Sequence, residues 1–131
     1  MLFIEPPSGG QVKISEEDCV EGAPELVAEV ASSSASYDLH AKLNVYRRSG
    51  VQEYIVWRVF DGAIDWFVLE GGAYERLTPA EDGLYKSRAF PGLWLDAEAL
   101  LRGDLARVLD RLQTGIASRE HAEFLARLNP K

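Results

Sequence analysis

The chain is poor in the residues that several kinds of protein depend on. Its single cysteine, Cys19, excludes an internal disulfide framework and is typical of a reducing compartment, so we expect a cytoplasmic protein. With one cysteine and two histidines, it has no Cys and His cluster of zinc-site spacing. It has no apolar run near roughly 18 residues and no basic start before an apolar stretch. We therefore expect neither a membrane span nor a signal peptide.

Positive charge is also scarce. Fourteen Lys and Arg residues stand against 21 Asp and Glu, which gives a net charge of −7. A generic nucleic-acid coat normally presents a basic face, so this balance argues against one. It leaves room for local basic patches, such as Arg47, Arg48 and Arg58. The 131 residues are enough for about one domain with a single core.

The first half of the chain predicts a mixed α/β fold. Glu25 to Ala31 is predicted to be a strand, and we place it centrally because both of its faces are mostly apolar. A helix is predicted next, capped by Ser36, with Leu39, Leu43 and Tyr46 facing the sheet and Gly50 ending it. Strands separated by glycine-containing turns should follow, at residues 53–59, 63–69, 74–77 and about 84–87.

The last third of the chain predicts helices. Leu101, Leu105, Val108 and Leu112 line one face of a helix, and Ser118 caps another that carries Phe124. We therefore expect a core over residues 1–95 and a C-terminal helical extension of the same domain over 96–131.

One acid interrupts the first apolar strand. Burying the Glu29 carboxylate costs several kcal/mol unless a bound cation or the nearby Lys42 ammonium compensates it. Two other interpretations stay open on the residues alone. In the first, Asp38 and Lys42, four residues apart on the helix, form an ion pair that stabilises the helix by roughly 0.2–0.5 kcal/mol and has no functional role. Glu29 also fits a partly exposed position at a sheet edge.

Several fixed spacings between Gly22 and Trp57 occur together. They are a strand Pro-Glu-Leu-Val-Ala-Glu-Val, a serine-rich turn, an Asp four residues before a Lys, and then Tyr, Gly-Val and Glu-Tyr. This stretch resembles the Uma-type endonuclease family, a branch of the PD-(D/E)XK restriction-endonuclease-like superfamily, and a weaker likeness continues to Leu95. The resemblance implies a mixed sheet flanked by helices, with C-terminal helices. It also implies hydrolysis of phosphodiester bonds in nucleic acid with Mg²⁺ or Mn²⁺.

The resemblance also implies roles for particular residues. Glu29 is the metal-binding acid, and Lys42 replaces the superfamily's usual lysine, whose position holds Ala31. Glu25, on the same strand face, is a second candidate metal ligand. Asp38 and Tyr46 are candidates for a supporting role behind these ligands.

One departure from the family pattern divides the functional hypotheses. The superfamily's first acid would precede a strand resembling Leu2 to Ile4, but this sequence begins at Met1. The first hypothesis is a Mg²⁺-dependent nuclease. The alternative is a catalytically inactive nuclease-fold protein that acts as an oligomerisation or interaction module. Because missing N-terminal elements would expose a sheet edge and apolar surface, we predict a homodimer.

Overall fold

The structure is a computed structural model that describes residues 1–14, 20–31 and 39–128. Its backbone contacts divide the chain into two compact units, Met1–Arg76 and Leu77–Lys131. The prediction of a core over residues 1–95 with a helical extension over 96–131 stays a prediction. The predicted cap Ser36, together with Asp38 and Cys19, lies outside the described residues.

The first unit is built on a four-stranded mixed sheet. A short 3₁₀ turn at Pro6–Ser8 and an antiparallel pair of two-residue strands precede it. The elements of this unit are β1 (Lys13–Ile14), β2 (Val20–Glu21), β3 (Leu26–Ala31), α1 (Leu39–Ser49), β4 (Glu53–Arg58), β5 (Ala63–Glu70) and β6 (Ala73–Arg76). In the sheet, β3 lies parallel to β4. Parallel neighbours need a crossover connection, and α1 lies in that connection. Strands β5 and β6 follow as an antiparallel meander. This confirms the predicted mixed α/β class.

The prediction that the first strand is central was wrong. The sheet order is β3-β4-β5-β6, so β3 is a terminal strand. On its outer side, the described residues contribute only one bridge, in which Leu2 and Leu26 exchange backbone hydrogen bonds of 2.8 and 3.0 Å. Val30 is 64% exposed, which an apolar pattern alone does not reveal. The face of β3 that carries Val30 is therefore apolar but only partly buried, since Leu26 is 4% exposed on the same face.

One core cluster of the first unit lies between the sheet and α1. Ala31, Tyr54, Val56 and Phe67 are buried there, and five partly buried side chains pack against them: Val27, Leu39, Leu43, Tyr46 and Tyr74. The predicted helix stripe therefore faces the sheet.

The end of α1 has a Schellman cap. Gly50 has φ of 85°, its N–H donates to the Arg47 carbonyl, and the N–H of Val51 donates to the Tyr46 carbonyl. The predicted helix end at Gly50 is thus confirmed, and the cap leads directly into β4.

Over residues 77–128, the second unit contains a two-stranded sheet and three helices. These are β7 (Tyr85–Lys86), β8 (Trp94–Leu95), α2 (Ala97–Leu101), α3 (Leu105–Ile116) and α4 (Arg119–Leu128). Ser118 accepts a hydrogen bond from the His121 N–H, as expected for the last helix cap. Phe124 packs edge-on against Phe90 at 6.1 Å between ring centroids.

The predicted single helix face from Leu101 to Leu112 was wrong. Leu101 ends α2, and Leu105 begins α3 as a side chain that is 59% exposed. The break follows from Gly103, with φ of 81°, and from Asp104, whose carboxylate accepts from the Arg107 N–H and caps α3. A left-handed glycine followed by a capping acid ends one helix and begins another.

Candidate active site

Glu29 lies in the middle of β3 on the face that α1 covers. It pairs in register with Val56 of β4, and paired residues project from the same face of a sheet. Its side chain is 25% exposed, so the carboxylate lies at the rim of the core with one side toward solvent. This is the partly exposed edge position that the sequence left open.

Among the described residues, three side chains approach the Glu29 carboxylate. The Tyr46 hydroxyl donates to Oε1, and the Tyr54 hydroxyl donates to Oε2 at 3.1 Å. Lys42 Nζ lies 3.7 Å from Oε1 and is 46% exposed. The fold therefore brings together Glu29 and Lys42, the two residues selected as catalytic candidates, while their roles stay predictions.

The two tyrosines form an aromatic wall beneath the carboxylate. Their ring centroids are 4.8 Å apart, and Tyr54 is fully buried. Burial, together with the hydrogen bond and the negative charge of Glu29, raises the pKa of Tyr46 to about 12. Tyr46 is therefore a protonated donor across the physiological pH range.

Glu25 has a different environment. It is 2% exposed, and its two oxygens accept hydrogen bonds from the backbone N–H groups of Ile4 and Gln11, both at 2.8 Å. It also precedes Glu29 by four residues, which is about 13 Å along an extended strand. Glu25 and Glu29 share none of these hydrogen-bond partners. The contacts of Glu25 are those of a buried anchor for the N-terminal segment.

Sequence reasoning missed Gln11, which reinforces that anchor. Its Nε2 lies within hydrogen-bond distance of the carbonyls of Ala23, Pro24 and Gly50, between 2.9 and 3.2 Å. Its Oε1 accepts from Gln52 at 3.0 Å. A lone Gln after two glycines carries no sequence signal for such a role.

Comparison with known proteins decides the family. The Uma2 family model, described as "Putative restriction endonuclease", matches residues 2–98. The chain belongs to the Uma2 family. A search of curated proteins finds no match. The Uma2 match confirms the resemblance drawn from the sequence, spans the whole candidate site and ends in α2, so α3 and α4 lie outside it.

Uma2 membership links the chain to nucleic-acid cleavage, and restriction-endonuclease-like proteins generally use divalent metals. Across residues 1–14, 20–31 and 39–128, no group of three His, Cys, Asp or Glu side chains is arranged to hold a metal ion. Nor is any helix in the same ranges long and apolar enough to cross a membrane.

A second ionic cluster occupies the same face of the sheet. Val56 pairs with Glu29 on one side and with Asp65 on the other, so both acids project toward the α1 side. Asp65 is 5% exposed and accepts from Arg58 at 2.7 Å and from Arg76. Burial alone would raise the pKa of Asp65, but the hydrogen bonds from the two guanidinium groups outweigh it and hold the pKa below its usual value.

Asp65 could have been found from the sequence. It interrupts the apolar strand β5 as Glu29 interrupts β3, which is the signal that selected Glu29. Its two arginine partners mark it as an ion-pair centre.

Proposed function

We propose that the chain is a divalent-metal-dependent endonuclease that hydrolyses phosphodiester bonds in nucleic acid, with Glu29 holding the metal ion. The observation that carries this proposal is the Glu29 carboxylate at the rim of the core, with Lys42 at 3.7 Å. Mg²⁺ is commonly held by one or two carboxylates together with waters and substrate phosphates. A single rim carboxylate is compatible with that donor set.

The cation would polarise the phosphate and lower the pKa of an attacking water. Lys42, which is half-exposed, would face the negative charge that develops on the phosphoryl oxygens. We propose that the protein acts in the cytoplasm. We also propose that residues 1–95 form the catalytic core and that 96–131 are its helical extension. Mg²⁺ is the proposed physiological ion, and Mn²⁺ is the convenient probe.

Two substitutions separate metal binding from catalysis. Glu29→Ala should abolish Mn²⁺ binding in a calorimetric titration. Lys42→Met should retain Mn²⁺ binding and lower the cleavage rate of single- and double-stranded DNA and RNA oligonucleotides by about 100-fold or more. Glu75→Ala is the matched control, because Glu75 is an exposed acid on β6. If Glu29→Ala binds Mn²⁺ as the unchanged protein does, the assignment of the metal ligand is wrong.

A second candidate function is a non-catalytic module that associates as a homodimer. In the part of the chain that the structure describes, three apolar side chains near the carboxyl ends of β3 and β4 are exposed. They are Val30, Val59 and Phe60, and Phe60 is 75% exposed. Apolar groups concentrated in this way are typical of association surfaces. Sedimentation at micromolar concentration should show a dimer, and Phe60→Asp should weaken it. A monodisperse monomer would rule out this dimer.

A further inference from the structure

The Glu29 carboxylate is held at both oxygens by tyrosine hydroxyls from different elements. Tyr46 of α1 donates to Oε1, and Tyr54 of β4 donates to Oε2 at 3.1 Å. Hydrogen bonds to an ionised group are roughly twice as strong as neutral ones. Because the two donors engage different oxygens, they limit rotation of the carboxylate about its last side-chain torsion.

The donors themselves are held in place. Tyr54 is fully buried, and its ring lies between those of Tyr46, at 4.8 Å, and Phe67, at 6.3 Å. Tyr46 lies in the last turn of α1, where its carbonyl accepts from Val51 in the helix cap. Neither ring can turn away from Glu29 without disturbing the core.

We infer that Tyr54 and Tyr46 are positioning residues that hold the Glu29 carboxylate in the orientation in which it receives the metal ion. The inference rests on the proposed function for its metal, and on the structure for its geometry. The tyrosines act through Glu29 and do not ligate the ion. Donors behind a metal ligand typically change metal affinity by about 10–100-fold when they are removed.

The chain supplies a matched control in the same core. The Tyr74 hydroxyl donates to the Val51 carbonyl at 2.7 Å, and the Tyr74 ring packs against Phe67. Tyr74→Phe therefore removes one part-buried, hydrogen-bonded tyrosine hydroxyl, as Tyr54→Phe does, without removing a donor to Glu29. A general loss of core stability would appear in both variants, whereas a positioning effect would appear only in Tyr54→Phe.

The first arm of the test needs no metal. Tyr54→Phe, Glu29→Ala and the double variant form a cycle, measured as folding equilibrium constants in urea. We expect the effects of the two substitutions to be coupled by about tenfold, which corresponds to about 1.4 kcal/mol. The same cycle with Tyr74→Phe should show additive effects. Additivity in the Tyr54 cycle would overturn the inference, whatever the metal result.

The second arm measures Mn²⁺ affinity by calorimetry. Tyr54→Phe should bind Mn²⁺ about tenfold or more weakly than the unchanged chain, and Tyr74→Phe should bind as the unchanged chain does. Equal affinities in the two variants would overturn the positioning role even if the cycle shows coupling. If the unchanged chain binds no Mn²⁺, the proposed function fails, and the cycle alone then decides whether the tyrosines hold Glu29.

Discussion

Replacing Asp65 by Asn should destabilise the first unit strongly, because it removes the charge of a buried carboxylate. The carboxylate is 5% exposed and accepts charged hydrogen bonds from Arg58 and Arg76. Hydrogen bonds to charged groups contribute about 1.5–3 kcal/mol each. Asn keeps one oxygen acceptor, and both guanidinium groups, which are 32% and 60% exposed, can regain water. We therefore expect the free energy of unfolding to fall by about 2–3 kcal/mol.

The assay is urea unfolding followed by tryptophan fluorescence. Two of the three tryptophans, Trp57 and Trp66, lie in the first unit, and Trp94 lies in the second. In a Trp94→Phe background, the signal therefore reports on the first unit. This keeps unfolding of the second unit out of the measurement.

Asp61→Asn is the matched control for this prediction. Asp61 shares the partner Arg58 at 2.7 Å, but its side chain is 46% exposed. Exposed ion pairs contribute about 0–1 kcal/mol, so this substitution should have a small effect on the free energy of unfolding. If Asp65→Asn destabilises the unit no more than Asp61→Asn, burial does not determine how much the Asp65 ion pairs contribute to the free energy of unfolding. That result would refute the prediction.

Three further predictions concern acid stability and two glycines. Because the pKa of Asp65 is lowered in the folded protein, its contribution to stability is complete above about pH 4 and is lost as the pH falls through the folded-state pKa. Urea midpoints between about pH 2 and 7 should therefore fall less steeply in Asp65→Asn, and parallel curves would contradict this. Gly50→Ala should cost about 1 kcal/mol in the same urea assay, because φ is 85° there, and an unchanged midpoint would count against backbone strain at the cap. Gly115→Ala should lower the free energy of unfolding by about 1–3 kcal/mol, because a Cβ there would lie 2.3 Å from the Gly92 carbonyl oxygen. Thermal or urea unfolding would measure this, with Gln113→Ala on the same helix as the control. Equal stability of these last two variants would show that the close approach is relieved without cost.

Local patterns predicted most of the elements of this fold. The spacing of Leu39, Leu43 and Tyr46 predicted which face of α1 packs on the sheet, because that periodicity is a property of the helix itself. Gly50 predicted the helix end for a similarly local reason, since the left-handed conformation of the cap favours glycine.

What the sequence could not predict depends on contacts between distant segments. The apolar pattern of β3 is compatible with a central or a terminal strand, and only the sheet order distinguishes them. The strand begins at Leu26, one residue after Glu25. The hydrogen-bond partners of Glu25, Ile4 and Gln11, come from a segment whose position no spacing reveals. The proximity of Glu29 and Lys42 was predictable because one crossover connects their elements. Their functions await the metal titration.

The parallel pairing of β3 with β4 also has a consequence for the order of folding. The β4–β5 hairpin closes through the short turn that follows Arg58, whereas Glu29 reaches Val56 only after the whole α1 crossover has closed. The entropic cost of closing a loop rises with its length. Closing the α1 crossover therefore costs roughly 1–2 kcal/mol more than closing the β4–β5 turn. We therefore expect the meander to form early and β3 to dock late, so that the four side chains of the site meet near the end of folding. Substitutions at Glu29 should then accelerate unfolding and leave the folding rate nearly unchanged.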